Sequence, residues 1–246
     1  MLKLSFAKGN AKLGSHTAIF SLPAGHTCPA ALLCQSMADK VTGKIKDGAR
    51  TVFRCYAASG ENLFTNVRKS RWANFEALQG KSVDEMVSLI NASLPKRNTK
   101  LCRIHSSGDF FSQAYFDAWV KVARLNPEII FYGYTKMVPF LVKRKFELPS
   151  NFRFVASYGG KFDSLIAAHG LRSAKVISDE SLANGLPIDH DDSHVWKYDG
   201  DFALVIHGTQ PAGSELAKIV KARKDAGKGG YKADYFQHYK KDLTKP

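Results

Sequence analysis

From residue 98 onward the chain alternates short apolar runs with amphipathic helical stretches, and no other feature narrows its folding options as far. Strands are expected over residues 101–106, 129–134, 152–157, 175–178 and 202–207, with helices at about 112–125, 138–145, 161–169 and 213–226. This is the pattern of βα units, in which each strand returns to a parallel neighbour through a helix. The expected class is therefore α/β, a full or partial βα barrel with mostly parallel strands. An open doubly wound sheet is the second arrangement, because strand order cannot be read from the sequence. Each strand runs into small or polar residues: Ser107-Gly108-Asp109, Thr135-Lys136, Tyr158-Gly159-Gly160, Ser178-Asp179-Glu180 and Gly208-Thr209-Gln210. In parallel α/β proteins the carboxyl ends of strands carry the site, so these tips should converge on one rim.

Before residue 98 the pattern is different, a loop-rich N-terminal region with helical stretches at 67–78 and 82–94. Ser82 and Glu85 form a capping box for the second, and Val83, Met86, Val87, Ile90 and Leu94 recur on one face. No repeat or long Pro/Ser-rich linker divides the chain, so one domain is expected over 1–226, built from a cysteine-containing part (1–97) and the βα units (98–226). No apolar stretch nears the roughly 20 residues that span a bilayer, and the N-terminus lacks the apolar core of a signal peptide. A cytosolic protein without membrane contact is the expectation. The formal charge of +14 would attract polyanions such as nucleic acid. Much of that excess lies in the tail, 227–246, where lysines mix with Tyr231, Tyr235, Phe236 and Tyr239. Such a segment is either a solvated end or an arm that contacts phosphates and stacks on bases.

Four cysteines in a reducing compartment point to metal binding, catalysis or burial rather than to disulfides. Cys28 and Cys34 sit in a loop containing Gly25 and Pro29, and Cys55 follows in Phe53-Arg54-Cys55-Tyr56. Soft thiolates on loops can close around an iron–sulfur cluster or zinc. Zinc knuckles usually pair cysteines at closer spacing than this, and packing as small hydrophobes is the remaining reading. Cys102, inside an expected strand between Leu101 and Arg103, is assigned to the core. Three cysteine ligands would leave one iron of a cluster open to a small molecule.

Other polar groups join the same rim. Arg103, His105 and Ser107 should share one strand face, with Asp109 at the tip either binding a ligand or, like Ser112, capping the next helix. Lys136, past another strand, could bind an anion, and His207 ends the last strand. The run Asp189-His190-Asp191-Asp192-Ser193-His194 packs acid–base and metal-competent side chains together, as a hydrogen-bonded loop or as a divalent-metal or general-base site. No P-loop, dinucleotide glycine motif, H-E-x-x-H or G-x-S-x-G is present, which excludes those NTPase, dehydrogenase, zincin and serine hydrolase signatures.

The runs LSFAKGNAKLG, FSLPAGHTCP, FRCYAAS, NVRKSRW, RIHSSGDFFSQAYFDAW, FYGYTK, ASYGG, IDHDDSH and IHGTQPAGS, in that order, resemble the phage and prophage gene product 88 family over nearly the whole chain. The resemblance implies a phage-encoded protein acting in the cytoplasm of an infected bacterium, with Cys28, Cys34 and Cys55 inside family-type segments. A looser similarity is to radical S-adenosylmethionine enzymes, which join a three-cysteine cluster to a βα barrel. Their compact C-x₃-C-x₂-C loop is replaced here by C-x₅-C-x₂₀-C, which sets S-adenosylmethionine cleavage apart from the rest of the expectation.

The leading expectation is thus a [4Fe-4S] protein, with zinc as the alternative metal, whose open iron meets a small molecule among His105, Asp109, Lys136, His190 and His207. Two other classes stay open. One is a nucleic-acid-binding protein with a structural metal site and a basic tail. The other is a divalent-metal nuclease or phosphoesterase using residues 189–194.

Overall fold

The computed structural model describes residues 2–9 and 13–227. The expected basic tail therefore lies, after Gly227, outside the described residues. Two strands open the chain, β1 (Phe6–Lys8) and β2 (Thr17–Phe20), followed by a small hairpin of β3 (Ser36–Ala38) and β4 (Ile45–Asp47). Three helices come next, α1 (Tyr56–Leu63), α2 (Thr65–Leu78) and α3 (Val83–Ser93). The Ser82–Glu85 capping box starts α3, with the Ser82 N–H donating to Glu85 Oε2 at 2.8 Å and the Glu85 N–H to Ser82 Oγ at 3.3 Å. From there strand and helix alternate: β5 (Leu101–Ile104), α4 (Gln113–Leu125), β6 (Ile130–Thr135), α5 (Val138–Arg144), β7 (Phe152–Ser157), α6 (Ser164–Ala168) and β8 (Ser173–Ile177). A 3₁₀ turn (Glu180–Ala183), α7 (Ser193–Trp196), β9 (Phe202–Val205) and α8 (Glu215–Asp225) complete the described chain.

Seven strands form one sheet in the order β1-β2-β5-β6-β7-β8-β9, parallel throughout except for β1 against β2. The protein is mixed α/β with a mostly parallel sheet. The doubly wound alternative is corrected, because successive strands always move the same way and the order never reverses. Strand β2, which the sequence had left among the loops, is the partner that starts the parallel set, with Ala18 opposite Cys102.

Winding in one direction sends the crossovers between β2 and β8 to one face. There α3 to α6 share a core with Phe20, Cys102, Ile104, Phe131 and Phe152. Cys102 is fully buried in it, as its strand position implied. Trp119 of α4 is central: its ring meets those of Phe6, Phe20, Tyr115 and Phe131 at centroid distances of 6.4, 5.3, 6.4 and 6.1 Å. The opposite face carries a smaller cluster, Tyr132, Val155, Ala174, Val195 and Phe202, covered by α7.

Candidate functional site

The loop bearing Cys28 and Cys34 lies across the carboxyl ends of β5 and β7, and glycines make that approach possible. Gly108, just past β5, has φ +87°, and a Cβ there would stand 2.6 Å from Thr27 Oγ1 and 2.7 Å from Leu22 Cβ. Beyond β7 the Gly159 carbonyl accepts from the Leu32 and Leu33 N–H groups at 3.1 and 3.0 Å, while Lys161 N–H donates to the Ala30 carbonyl at 2.9 Å. The second cysteine segment is tied to the first. Val52 and Phe53 N–H donate to the Leu33 carbonyl at 2.8 and 3.1 Å, and Cys55 N–H donates to Ser36 Oγ at 3.3 Å. Arg54 is then fastened to the loop after β9, its N–H donating to Gln210 Oε1 at 2.9 Å and its carbonyl accepting from Gln210 Nε2 at 3.2 Å.

Cys28, Cys34 and Cys55 each keep some exposed surface. Burial raises the Cys28 thiol well above its ordinary value, and Asp109, Cys55 and Cys34 raise it further. Burial and Cys34 push Cys55 up to about 11, against smaller opposing effects of the Ala57 and Ala58 N–H groups and of Arg71. The three sulfurs thus lie within Coulomb reach of one another. Burial favours the protonated form of Cys28 and Cys55, which a bound cationic centre would ionise. Among the described residues no group of three or more His, Cys, Asp or Glu side chains is arranged to hold a single metal ion.

Sequence reasoning missed Glu61, which stands below the cysteine segments on α1. Its carboxylate is fully buried, with Oε1 accepting from Ala24 N–H at 2.8 Å, Ser107 Oγ at 3.2 Å and Arg71 Nη1 at 2.8 Å, and Oε2 without a partner. A charged residue in a short polar helix reads as solvent-facing, so nothing local marks it.

Of the expected rim residues, Asp109 and the Lys136 backbone come together, and Asp109 acts on the Cys28 thiol. Asp109 is a latch between two strand tips: Oδ1 accepts from Thr135 Oγ1 and from Phe110 N–H, both at 2.7 Å, and Oδ2 from Lys136 N–H at 2.8 Å. Burial holds its carboxyl above the usual range despite those bonds. Ser112, not Asp109, caps α4 by accepting from Tyr115 N–H at 3.2 Å. Lys136 Nζ donates to Ser157 Oγ at 2.6 Å.

The expectation that Arg103, His105 and Ser107 share a face is corrected. The strand ends at Ile104, and His105 takes φ +62°, which turns its ring to the helical side. There Nε2 is hydrogen-bonded to the Tyr115 hydroxyl at 3.0 Å and the ring packs on Phe110. Burial, aided by Arg103, lowers its pKa to about 3, so the imidazole is neutral at ordinary pH. His207 sits at the end of β9 with its ring 4.5 Å from that of Tyr56, whose hydroxyl donates to the Ser106 carbonyl at the end of β5. His190 is exposed on the segment leading to α7.

That segment forms a second polar cluster, on the face opposite the helices. Arg103 Nε lies 3.2 Å from Asp192 Oδ2, and its guanidinium is stacked 4.5 Å from the Tyr134 ring centroid. The Tyr134 hydroxyl is 3.4 Å from Asp189 Oδ2, and His194 Nδ1 is 3.4 Å from Asp189 Oδ1. Burial and the neighbouring Asp192 raise Asp189 to about 6. The folded protein therefore holds a proton that the unfolded chain has already released, and this contribution to stability is lost as pH rises from about 4 to about 6. Asp189→Asn should remove up to about 3 kcal/mol of that decline. Urea midpoints at pH 4, 5, 6 and 7 measure it, and parallel profiles for the two proteins would contradict the assignment.

The family model of gene product 88 matches residues 3–229. The chain belongs to that family. Relatives include the Gene 88 protein of Mycobacterium phage L5, 33% identical over 91 residues, and that of Mycobacterium phage D29, 32% identical over 91 residues. In each case the match covers 34% of this chain and 38% of the relative, so it spans well under half the length of either. No solved structure matches the chain. Among the described residues no helix is long and apolar enough to cross a membrane.

Proposed function

We propose that this gene product 88 protein carries an iron–sulfur cluster on Cys28, Cys34 and Cys55 and presents its remaining iron to a small molecule in the cytoplasm of an infected bacterium. What supports the reading is that the two cysteine segments, separated by 20 intervening residues, are hydrogen-bonded to each other and to the loops after β7 and β9, with Cys34 and Cys55 both acting on the Cys28 thiol. The donor set fits the group. Thiolates are the usual cluster ligands, and a cluster is broad enough to need donors set wider than those of one ion. Its positive irons would offset the mutual repulsion of the thiolates.

The sheet curvature is part of the same proposal. In a flat sheet the ends of β5 and β9 would lie about 19 Å apart, four strand spacings. Tyr56 alone touches Ser106 at one and His207 at the other. An open βα barrel, with the cysteine segments bridging its mouth, accounts for that reach. S-adenosylmethionine forms no part of the proposal, since the compact three-cysteine loop is absent.

Protein expressed with added iron and purified without oxygen should be brown and contain iron and acid-labile sulfide in comparable amounts. Cys28→Ser and Cys55→Ser should each lose most of both. Zinc without sulfide would replace the cluster with a structural metal site, and protein with neither metal nor sulfide would end the reading.

A further inference from the structure

Lys136 is an ammonium group held out of water with little to hold it. The residue is 9% exposed, and its side chain makes one hydrogen bond, to the neutral Ser157 hydroxyl. A lysine has three N–H groups to place, and burying its charge without a carboxylate partner is costly. The neighbouring acids are committed elsewhere. Asp109, whose charge is felt at a distance, gives its oxygens to Thr135, Phe110 and the Lys136 backbone. Asp163 accepts from the Gly159 and Gly160 N–H groups at 2.8 and 2.9 Å.

The fold nevertheless makes room for this side chain. A Cβ on Gly160 would stand 3.1 Å from Lys136 Cβ and 3.1 Å from the Ala30 carbonyl oxygen, so the glycine lets the lysine stem pass under the cysteine loop. Its ammonium then crosses from the end of β6 to the end of β7, the edge of a parallel sheet at which ligands bind.

We infer that Lys136 receives the oxyanion of a small ligand, a carboxylate or phosphate group, at the ends of β6 and β7 beside the Cys28–Cys34 loop. The inference makes no use of iron and stands whether or not the thiols carry a cluster. Two features suit it: the ammonium keeps two N–H groups beyond the one given to Ser157, and a charge-assisted bond in a dry setting is stronger than one at the surface.

Calorimetric titration of the full chain with inorganic phosphate, and separately with acetate, at constant ionic strength tests it. Saturable binding of at least one probe is expected, and the stronger of the two identifies the oxyanion class. Lys136→Gln should weaken that binding about tenfold or more, with Lys136→Arg retaining most of it. Ser157→Ala covers the case in which Lys136→Gln does not fold. It frees the ammonium, so binding should persist or tighten. No saturable binding of either probe, equal binding by wild type and Lys136→Gln, or loss of binding in Ser157→Ala would overturn the inference. Iron and acid-labile sulfide assayed on the same preparations report the fate of the cluster separately: anion binding lost only in Lys136→Gln, at unchanged iron and sulfide, concerns this inference alone.

Discussion

Trp119→Ala is expected to destabilise the protein by about 3–5 kcal/mol, the range for deleting a large buried aromatic ring. Trp119 is fully buried, and four aromatic rings from β1, β2, α4 and β6 close around it. These rings come from four different elements between residues 6 and 131, so the void left by alanine cannot be filled by one element moving. For a domain of this size the loss corresponds to a melting temperature lower by roughly 6–20 °C. Trp119→Phe, which keeps a ring, should fall distinctly less. A thermal melt of Trp119→Ala within about 2 °C of wild type would show that the helical face is not the main store of stability.

Gly108→Ala should damage the cysteine cap more than the fold beneath it. Two effects combine at this position: φ is +87°, where an L side chain is strained, and the new Cβ would meet Thr27 Oγ1 at 2.6 Å and Leu22 Cβ at 2.7 Å. The second contact is with the stem of a buried leucine and cannot be relieved by a flexible chain end, so the loop beginning at Thr27 must shift. Gly80→Ala separates the two effects, since Gly80 has φ +76° with nothing within 4 Å of the added Cβ. That control should cost about 1–2 kcal/mol and leave the thiols where they are. Bridging of Cys28 to Cys34 or Cys55 by a short bis-alkylating reagent, read by mass spectrometry, reports thiol proximity without reference to metal. Bridging in wild type and Gly80→Ala but not in Gly108→Ala is the expected result. Equal bridging in all three would mean that Gly108 does not position the loop.

The βα half of the molecule was legible because its elements are long enough to carry a period. Strand β7 appears at the expected residues 152–157, and α4 starts after Ser112, where its cap was expected. Strand β2 was not legible, since all four of its residues are buried and a run so short shows no alternation. The site was legible as residue types rather than as geometry. Asp109 does bond the Lys136 N–H and act on the Cys28 thiol, but the contacts that hold the cysteine segments come from Ser36, Gln210 and the carbonyls of Leu33 and Gly159, whose chemistry is generic. His105 departs from expectation for a single backbone reason, a left-handed φ at the end of its strand, and one such angle reverses a side chain that periodicity would have placed on the other face.

The pair of hydrogen bonds between Arg54 and Gln210 joins residues 156 positions apart. During synthesis all three cysteines of the cap leave the ribosome long before the residue that clasps them, so the nascent chain exposes its sulfurs through most of its own translation. A product truncated ahead of Gln210 would keep every thiol while lacking the two hydrogen bonds that tie Arg54 to the loop after β9.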